Sequence, residues 1–150
     1  PGMNAFGFRR VAVALIAALL LPLPASAAKK KPPPPPPPPE RLVIQVSDSD
    51  PKKWNLVLKV ATDARKEFGE KAQIRVVAFG PGVNMLKADS DVANRVENAL
   101  GRDIMMVAGA SSMKTHNIDE DDLVKRVGVV PSGALEIVKL QRAGYTYLKP

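Results

Sequence analysis

Eight consecutive prolines, Pro32 to Pro39, divide this chain in two. Proline fixes φ and has no backbone N–H, so neither a helix interior nor a central strand can cross such a run. The run should adopt polyproline II, reaching roughly 25 Å at ~3.1 Å per residue. Lys29, Lys30 and Lys31 precede it, and residues 28–40 are read as a basic and polyproline linker. Folded structure has to be sought on either side.

The N-terminal side has the layout of a leader. Met3 is read as the biological start, with Pro1 and Gly2 as additions before it. Arg9 and Arg10 form a basic n-region, and Val11 to Leu21 form an apolar h-region. Pro22 and Pro24 break that run, and Ala25-Ser26-Ala27 fits the small-x-small rule, with cleavage expected after Ala27. Residues 1–27 thus match a bacterial Sec signal peptide. An uncleaved anchor is the alternative, but the run is shorter than the ~20 residues a spanning helix needs. The expected location is the periplasm, with no membrane attachment after cleavage. SH3-type readers of polyproline are not expected there, which favours a spacer over a docking ligand for the linker.

The candidate domain is residues 41–150. Residues 1–40 carry Arg9, Arg10, Lys29, Lys30 and Lys31 against Glu40, a net of +4, which leaves only +3 of the total +7 to the domain. With 5% aromatic residues and no basic stripe, the domain lacks a nucleic-acid footprint. It has no cysteine, which excludes disulfides, thiolate metal sites and cysteine nucleophiles.

Strand and helix signals alternate along this domain. Leu42 to Val46 reads as a buried strand. Asp50-Pro51 starts a helix, Asp as N-cap and Pro at the first position. Trp54, Val57, Leu58, Ala61, Ala64 and Phe68 recur at helical spacing, and Gly69 stops the helix. Ile74 to Phe79 is a second strand, followed by a Gly80-Pro81-Gly82 loop. Ser90 or Asp89 is expected to cap a helix that Gly101 ends. Ile104 to Ala108 reads as a central strand covered on both faces. Asp119 and Asp122 resemble a capping box. Val127 to Val130 is a fourth strand, Ser132 or Gly133 opens a helix that Gly144 ends, and Tyr145 to Leu148 is a fifth strand. The alternation argues for an α/β fold of three layers, a mostly parallel five-stranded sheet flanked by helices.

Site signals are sparse. His116 is the one histidine, so no histidine-based metal cluster is available, and no cofactor or metal is expected. Dinucleotide, phosphate-loop and nucleophile-elbow patterns are absent. Glu120, Asp121 and Asp122 are read as complementing a helix N-terminus. Ligands of open parallel sheets sit beyond the carboxyl ends of the strands, here Ser47–Asp50, Phe79–Asn84 and Gly109–Met113. The candidate ligand-binding residues are Gly109, Ala110, Ser111, Ser112 and Met113, with Asn84 and His116 beside them. A tight polar loop without a ligand, a solvated or structural His116 and a core Trp54 are the plainer readings.

Gln45-Val46-Ser47-Asp48, Asp50-Pro51-Lys52-Lys53-Trp54-Asn55 and Phe79-Gly80-Pro81-Gly82-Val83-Asn84-Met85-Leu86 resemble segments of the DsrE-like family. This is the DsrE/DsrF-like, YchN-fold family of intracellular sulfur oxidation, and the likeness is strongest to its exported branch. Gly128-Val129-Val130-Pro131-Ser132-Gly133 and Gly144-Tyr145-Thr146-Tyr147-Leu148-Lys149-Pro150 extend the likeness over residues 41–150. The resemblance implies a five-stranded, mainly parallel fold, a homo-oligomer and a site in the loop after the third strand. Trp54, Tyr145 and Tyr147 are expected to bury apolar surface between copies.

In sulfur-carrying members that loop follows the pattern Ala-Cys-Gly-Asn-Thr-Met. Here it is Ala108-Gly109-Ala110-Ser111-Ser112-Met113, so the resemblance puts Gly109 at the cysteine position, and a side chain there should point into a cleft. Persulfide transfer needs a thiolate, which neither glycine nor serine supplies. The family's activity therefore does not carry over. Three functions stay open: a non-catalytic periplasmic binding or assembly module; a subunit of a sulfur-carrier or sulfurtransferase complex with a cysteine-bearing partner; and an enzyme using Ser111, Ser112 or His116, for which no triad spacing is present.

Overall fold

The computed structural model describes residues 30–150 and, singly, Gly2, Ala14, Leu21, Ala27 and Ala28. The expected signal peptide therefore lies almost wholly outside the described residues. Pro32 to Pro39 is exposed and carries neither helix nor strand. No helix among the described residues is long and apolar enough to cross a membrane.

Among the described residues five strands form one sheet: β1 (Arg41–Val46), β2 (Gln73–Ala78), β3 (Met105–Gly109), β4 (Gly128–Val130) and β5 (Thr146–Leu148). Their order is β4-β3-β2-β1-β5, and every neighbouring pair is parallel. The side-chain period of two sorts β1 to β3 into two faces. Ile44, Val46, Val76, Ala78, Met106 and Ala108 point into the larger core, under helices α1 (Pro51–Phe68) and α2 (Ala93–Leu100). Val43 and Val77 point the other way, into a smaller cluster with Ile137, Leu140 and Tyr145 under α4 (Gly133–Arg142). The three-layer α/β architecture is as the alternation predicts.

Helix α1 begins where Asp50-Pro51 places it, the Lys52 N–H donating to the Asp50 carboxylate (2.8 Å). Trp54, Val57, Leu58, Ala61 and Ala64 are buried, and Gly69 closes the helix at φ +78°. Phe68 departs from expectation and is 45% exposed. An 18-residue helix is about 27 Å long and a six-residue strand about 20 Å, so the last turn overhangs the sheet. That turn buries Arg65 instead, 5% exposed. Its guanidinium donates to the carbonyls of Gly69, Glu70, Ala72, Arg102 and Asp103, with no carboxylate among them.

Three other expectations change. Neither Ser90 nor Asp89 caps α2; Val92 precedes it without a side-chain cap, and Ser90 Oγ donates to the Met85 carbonyl (2.9 Å). The Gly80-Pro81-Gly82 segment is not an open loop but opens a 3-10 helix over Gly80–Leu86. Strand β3 is second from the sheet edge, and Met105 is 52% exposed, because α4 is the one helix packed on that face among the described residues. The capping box at Asp119 and Asp122 is present, and Ser132 caps α4 by accepting from the Leu135 N–H.

Candidate functional site

The carboxyl ends of β1, β2 and β3 converge on one edge of the sheet. After β3 the chain turns at Gly109 into a six-residue helix, α3 (Ala110–Thr115). After β2 it enters the 3-10 helix through Gly80, whose φ is +53°. The Gly80 N–H donates to Ser112 Oγ (2.7 Å), joining the two segments. The Ser111 N–H donates to the Pro131 carbonyl (3.3 Å), tying α3 to the approach to α4.

Three glycines around these ends leave no room for a Cβ. A Cβ on Gly82 would lie 2.3 Å from the Val46 carbonyl oxygen and 2.9 Å from Ser47 Cα. A Cβ on Gly109 would lie 2.8 Å from the Gly133 nitrogen, and one on Gly133 would lie 2.8 Å from Phe79 Cβ. Gly109 has φ −75° and ψ 120°, a conformation open to any residue, so space and not backbone strain requires glycine there. The expectation that a side chain at Gly109 points into a cleft is therefore corrected: it points at the first residue of α4.

The other candidate residues have distinct surroundings. Ala110 and Ser111 are exposed. Ser112 is half-buried, its oxygen taken up by Gly80. Met113 is a core residue. Asn84 lies on the 3-10 helix, its amide donating to the Pro81 carbonyl (3.0 Å). His116 is half-buried at the other end of α3, and its N–H returns to the Ser112 and Met113 carbonyls. Within the described residues no hydrogen bond links the His116 ring to either serine hydroxyl, and no cluster of His, Asp and Glu could hold a metal. The structure thus brings Gly80, Gly109, Ser111 and Ser112 together and leaves His116 apart.

Trp54 is a core residue, its Nε1–H donating to the Asp48 carbonyl (2.7 Å), and Tyr145 is buried under α4. Both rings are buried within the chain. Tyr147 is exposed at β5, with its hydroxyl donating to Gln45 Oε1 (2.7 Å).

A family model for the DsrE/DsrF-like family matches residues 41–150. The chain belongs to the DsrE/DsrF-like family. That family is related to sulfur-relay proteins. No curated protein matches the chain. Among solved structures, this DsrE/DsrF-like domain is similar to a Methanobacterium thermoautotrophicum protein of unknown function, at 30% identity and a TM-score of 0.71, over 74% of this chain and 99% of that one. A conserved Bacteroides thetaiotaomicron protein of unknown function shares the fold at 13% identity and a TM-score of 0.62, over 74% and 95% of the two chains. The ychN protein of E. coli shares it at 11% identity and a TM-score of 0.62, over 74% and 99%.

Two features of this site escape sequence reasoning. Gly133 reads as a helix opener, with nothing to show that it abuts Gly109. Gly82 reads as loop punctuation, although its lack of a side chain lets the 3-10 helix press on the end of β1.

Proposed function

We propose that this DsrE/DsrF-like chain is an exported, periplasmic binding or assembly module that keeps the family's fold without its thiol chemistry. The observation that carries this reading is the contact between Gly109 and Gly133. Where the resemblance places a cysteine, a Cβ would meet backbone at 2.8 Å. None of the 150 residues is cysteine. A persulfide forms on a thiolate sulfur, and serine oxygen is no substitute. Among the described residues no base is hydrogen-bonded to Ser111 or Ser112, which argues against an acyl-transfer role for them.

Export is supported by the order Arg9-Arg10, apolar run, Ala25-Ser26-Ala27. Self-association is supported by Leu135, Val138, Tyr147 and Leu148, all large, apolar and exposed. The surface offered to a binding partner is Ala110 and Ser111, the exposed residues that follow β3.

The test is affinity purification of the native full-length protein from periplasmic extract, with the intact masses of chain and partners measured. The expected result is a chain beginning near Ala28, self-associated, that gains no sulfur mass when treated with a persulfide donor. A stoichiometric cysteine-bearing partner that becomes persulfidated only in the complex would replace this reading with a sulfur-carrier subunit. A chain held full-length in the membrane would defeat the periplasmic assignment.

A further inference from the structure

We propose that Arg75 heads a binding site for a small oxyanion at the end of the sheet opposite the Gly109 loop. Arg75 lies near the start of β2, paired in register with Met105 of β3. Four residue steps along β3 separate Met105 from Gly109, roughly 13 Å at ~3.3 Å per residue. The proposal does not depend on the reading of that loop.

The first observation is an orphaned donor. Arg75 Nε is buried and has no hydrogen-bond partner. Ion pairs among the described residues join Lys53 to Asp48, Lys59 to Asp63 and Lys87 to Asp89, and none involves Arg75. A buried donor without an acceptor is costly, the more so when it is charged, and folded proteins rarely leave one.

The second observation is how the group is held. The guanidinium lies over the Tyr145 ring, 5.4 Å from carbon to centroid. The Tyr145 hydroxyl donates to Gln73 Oε1 (2.7 Å), which fixes the ring. Stacking occupies one face of the guanidinium and Nε is enclosed by protein, which leaves the two Nη nitrogens as the in-plane donors for a ligand. Those donors form a fork that matches two oxygens of a carboxylate or phosphate group.

The third observation is space. Arg75 and Tyr145 line a cavity of about 340 Å³, together with Lys71, Gln73 and Met105. Gln73 has its oxygen engaged by Tyr145, so its amide NH₂ adds a donor, and the Lys71 ammonium adds a second charge. Arg65 also borders the cavity, but its donors are directed to backbone carbonyls. Glu70 and Asp103 at the border offset the positive charge. Selectivity thus rests on the planar fork and not on a broad basic field, which suits a small oxyanion.

The experiment titrates the full chain with inorganic phosphate, and in parallel with succinate, at ionic strength held constant with chloride. Calorimetry and thermal unfolding are read together. Saturable binding of one anion with a rising unfolding temperature is expected, and the preferred anion identifies the phosphate or carboxylate type. Arg75→Met keeps a chain over Tyr145 and removes the orphaned donor. It should unfold no earlier than wild type without ligand, and bind at least tenfold more weakly. Arg75→Lys keeps the charge without the fork and should fall between; it carries the test if the methionine variant does not fold. The proposal is overturned if wild type shows no saturable response to either anion, as when a water alone satisfies Nε, or if Arg75→Met binds equally well. It is also overturned if Arg75→Met lowers the mass in solution with no anion response in wild type, because Arg75 then serves a second copy.

Discussion

Gly109 and Gly133 meet without side chains: the Cβ that Gly109 lacks would sit 2.8 Å from the Gly133 nitrogen. The loop after β3 is thereby locked to the start of α4. Restoring a cysteine at Gly109 meets a steric obstacle, because the partner is already glycine and backbone cannot rotate aside.

Gly109→Cys should therefore fold less stably than wild type. Overpacking costs about 1–3 kcal/mol, which for a domain of this size lowers the unfolding temperature by roughly 5–20 °C. Thermal unfolding followed by circular dichroism measures it. A variant as stable as wild type, with a thiol that reacts readily, would show that α4 yields and that the cleft reading was sound.

Gly82→Ala should be the harsher change. The added methyl would stand 2.3 Å from the Val46 carbonyl oxygen, inside the end of a central pair of strands. A loss at or beyond the upper end of the about 1–3 kcal/mol overpacking range is expected, read as a lower urea midpoint or as insoluble expression. Gly101→Ala is the control, since its nearest contact would be an ordinary 3.4 Å.

Arg65→Met should destabilise the domain by about 3 kcal/mol or more, because carbonyls from two turns lose a charged donor at once. Arg65→Lys, with a compact ammonium, should recover only part. Urea unfolding of the two variants beside wild type tests the order.

Asp63 should titrate below the ordinary aspartate range, chiefly because Lys59 donates a hydrogen bond to it, and through the charges of Lys59 and Lys66. A carboxylate depressed in the folded state contributes stability above its unfolded pKa. That contribution is lost as pH falls through the folded pKa. The pair is exposed, so salt should weaken the effect. NMR titration of the Asp63 carboxyl in wild type and Lys59→Ala measures it, with the variant returning toward the usual value.

The start of α1 is legible because Asp50 and Pro51 act locally, and its face is legible because burial repeats with the helical period. The five parallel strands follow from the alternation of short β-branched runs with helical segments. What stays hidden depends on distant backbone. Arg65 reads as a cation suited to a helix C-terminus, and its burial becomes visible only once the turn at 69–72 and the one at 102–103 lie beside it. Phe68 reads as core because periodicity does not know where the sheet stops. The closeness of Gly109 and Gly133 leaves no pattern at all, because neither residue has a side chain to betray a face. The carboxyl ends of the strands are thus legible in the sequence, and the close packing of glycines around them is not.

The Arg65 cluster also has a kinetic meaning. Its acceptors belong to the end of α1, the entry to β2 and the turn before β3, up to 38 positions away in the chain. The full set of bonds can close only after β3 has docked beside β2. Interactions that need so many segments in place are expected to form after the transition state, where they slow opening of the native domain and hardly affect how fast it forms. Arg65 is thus expected to act as a latch on unfolding: removing it should leave the refolding rate nearly unchanged and shorten the lifetime of the folded state, which stopped-flow unfolding of Arg65→Met measures.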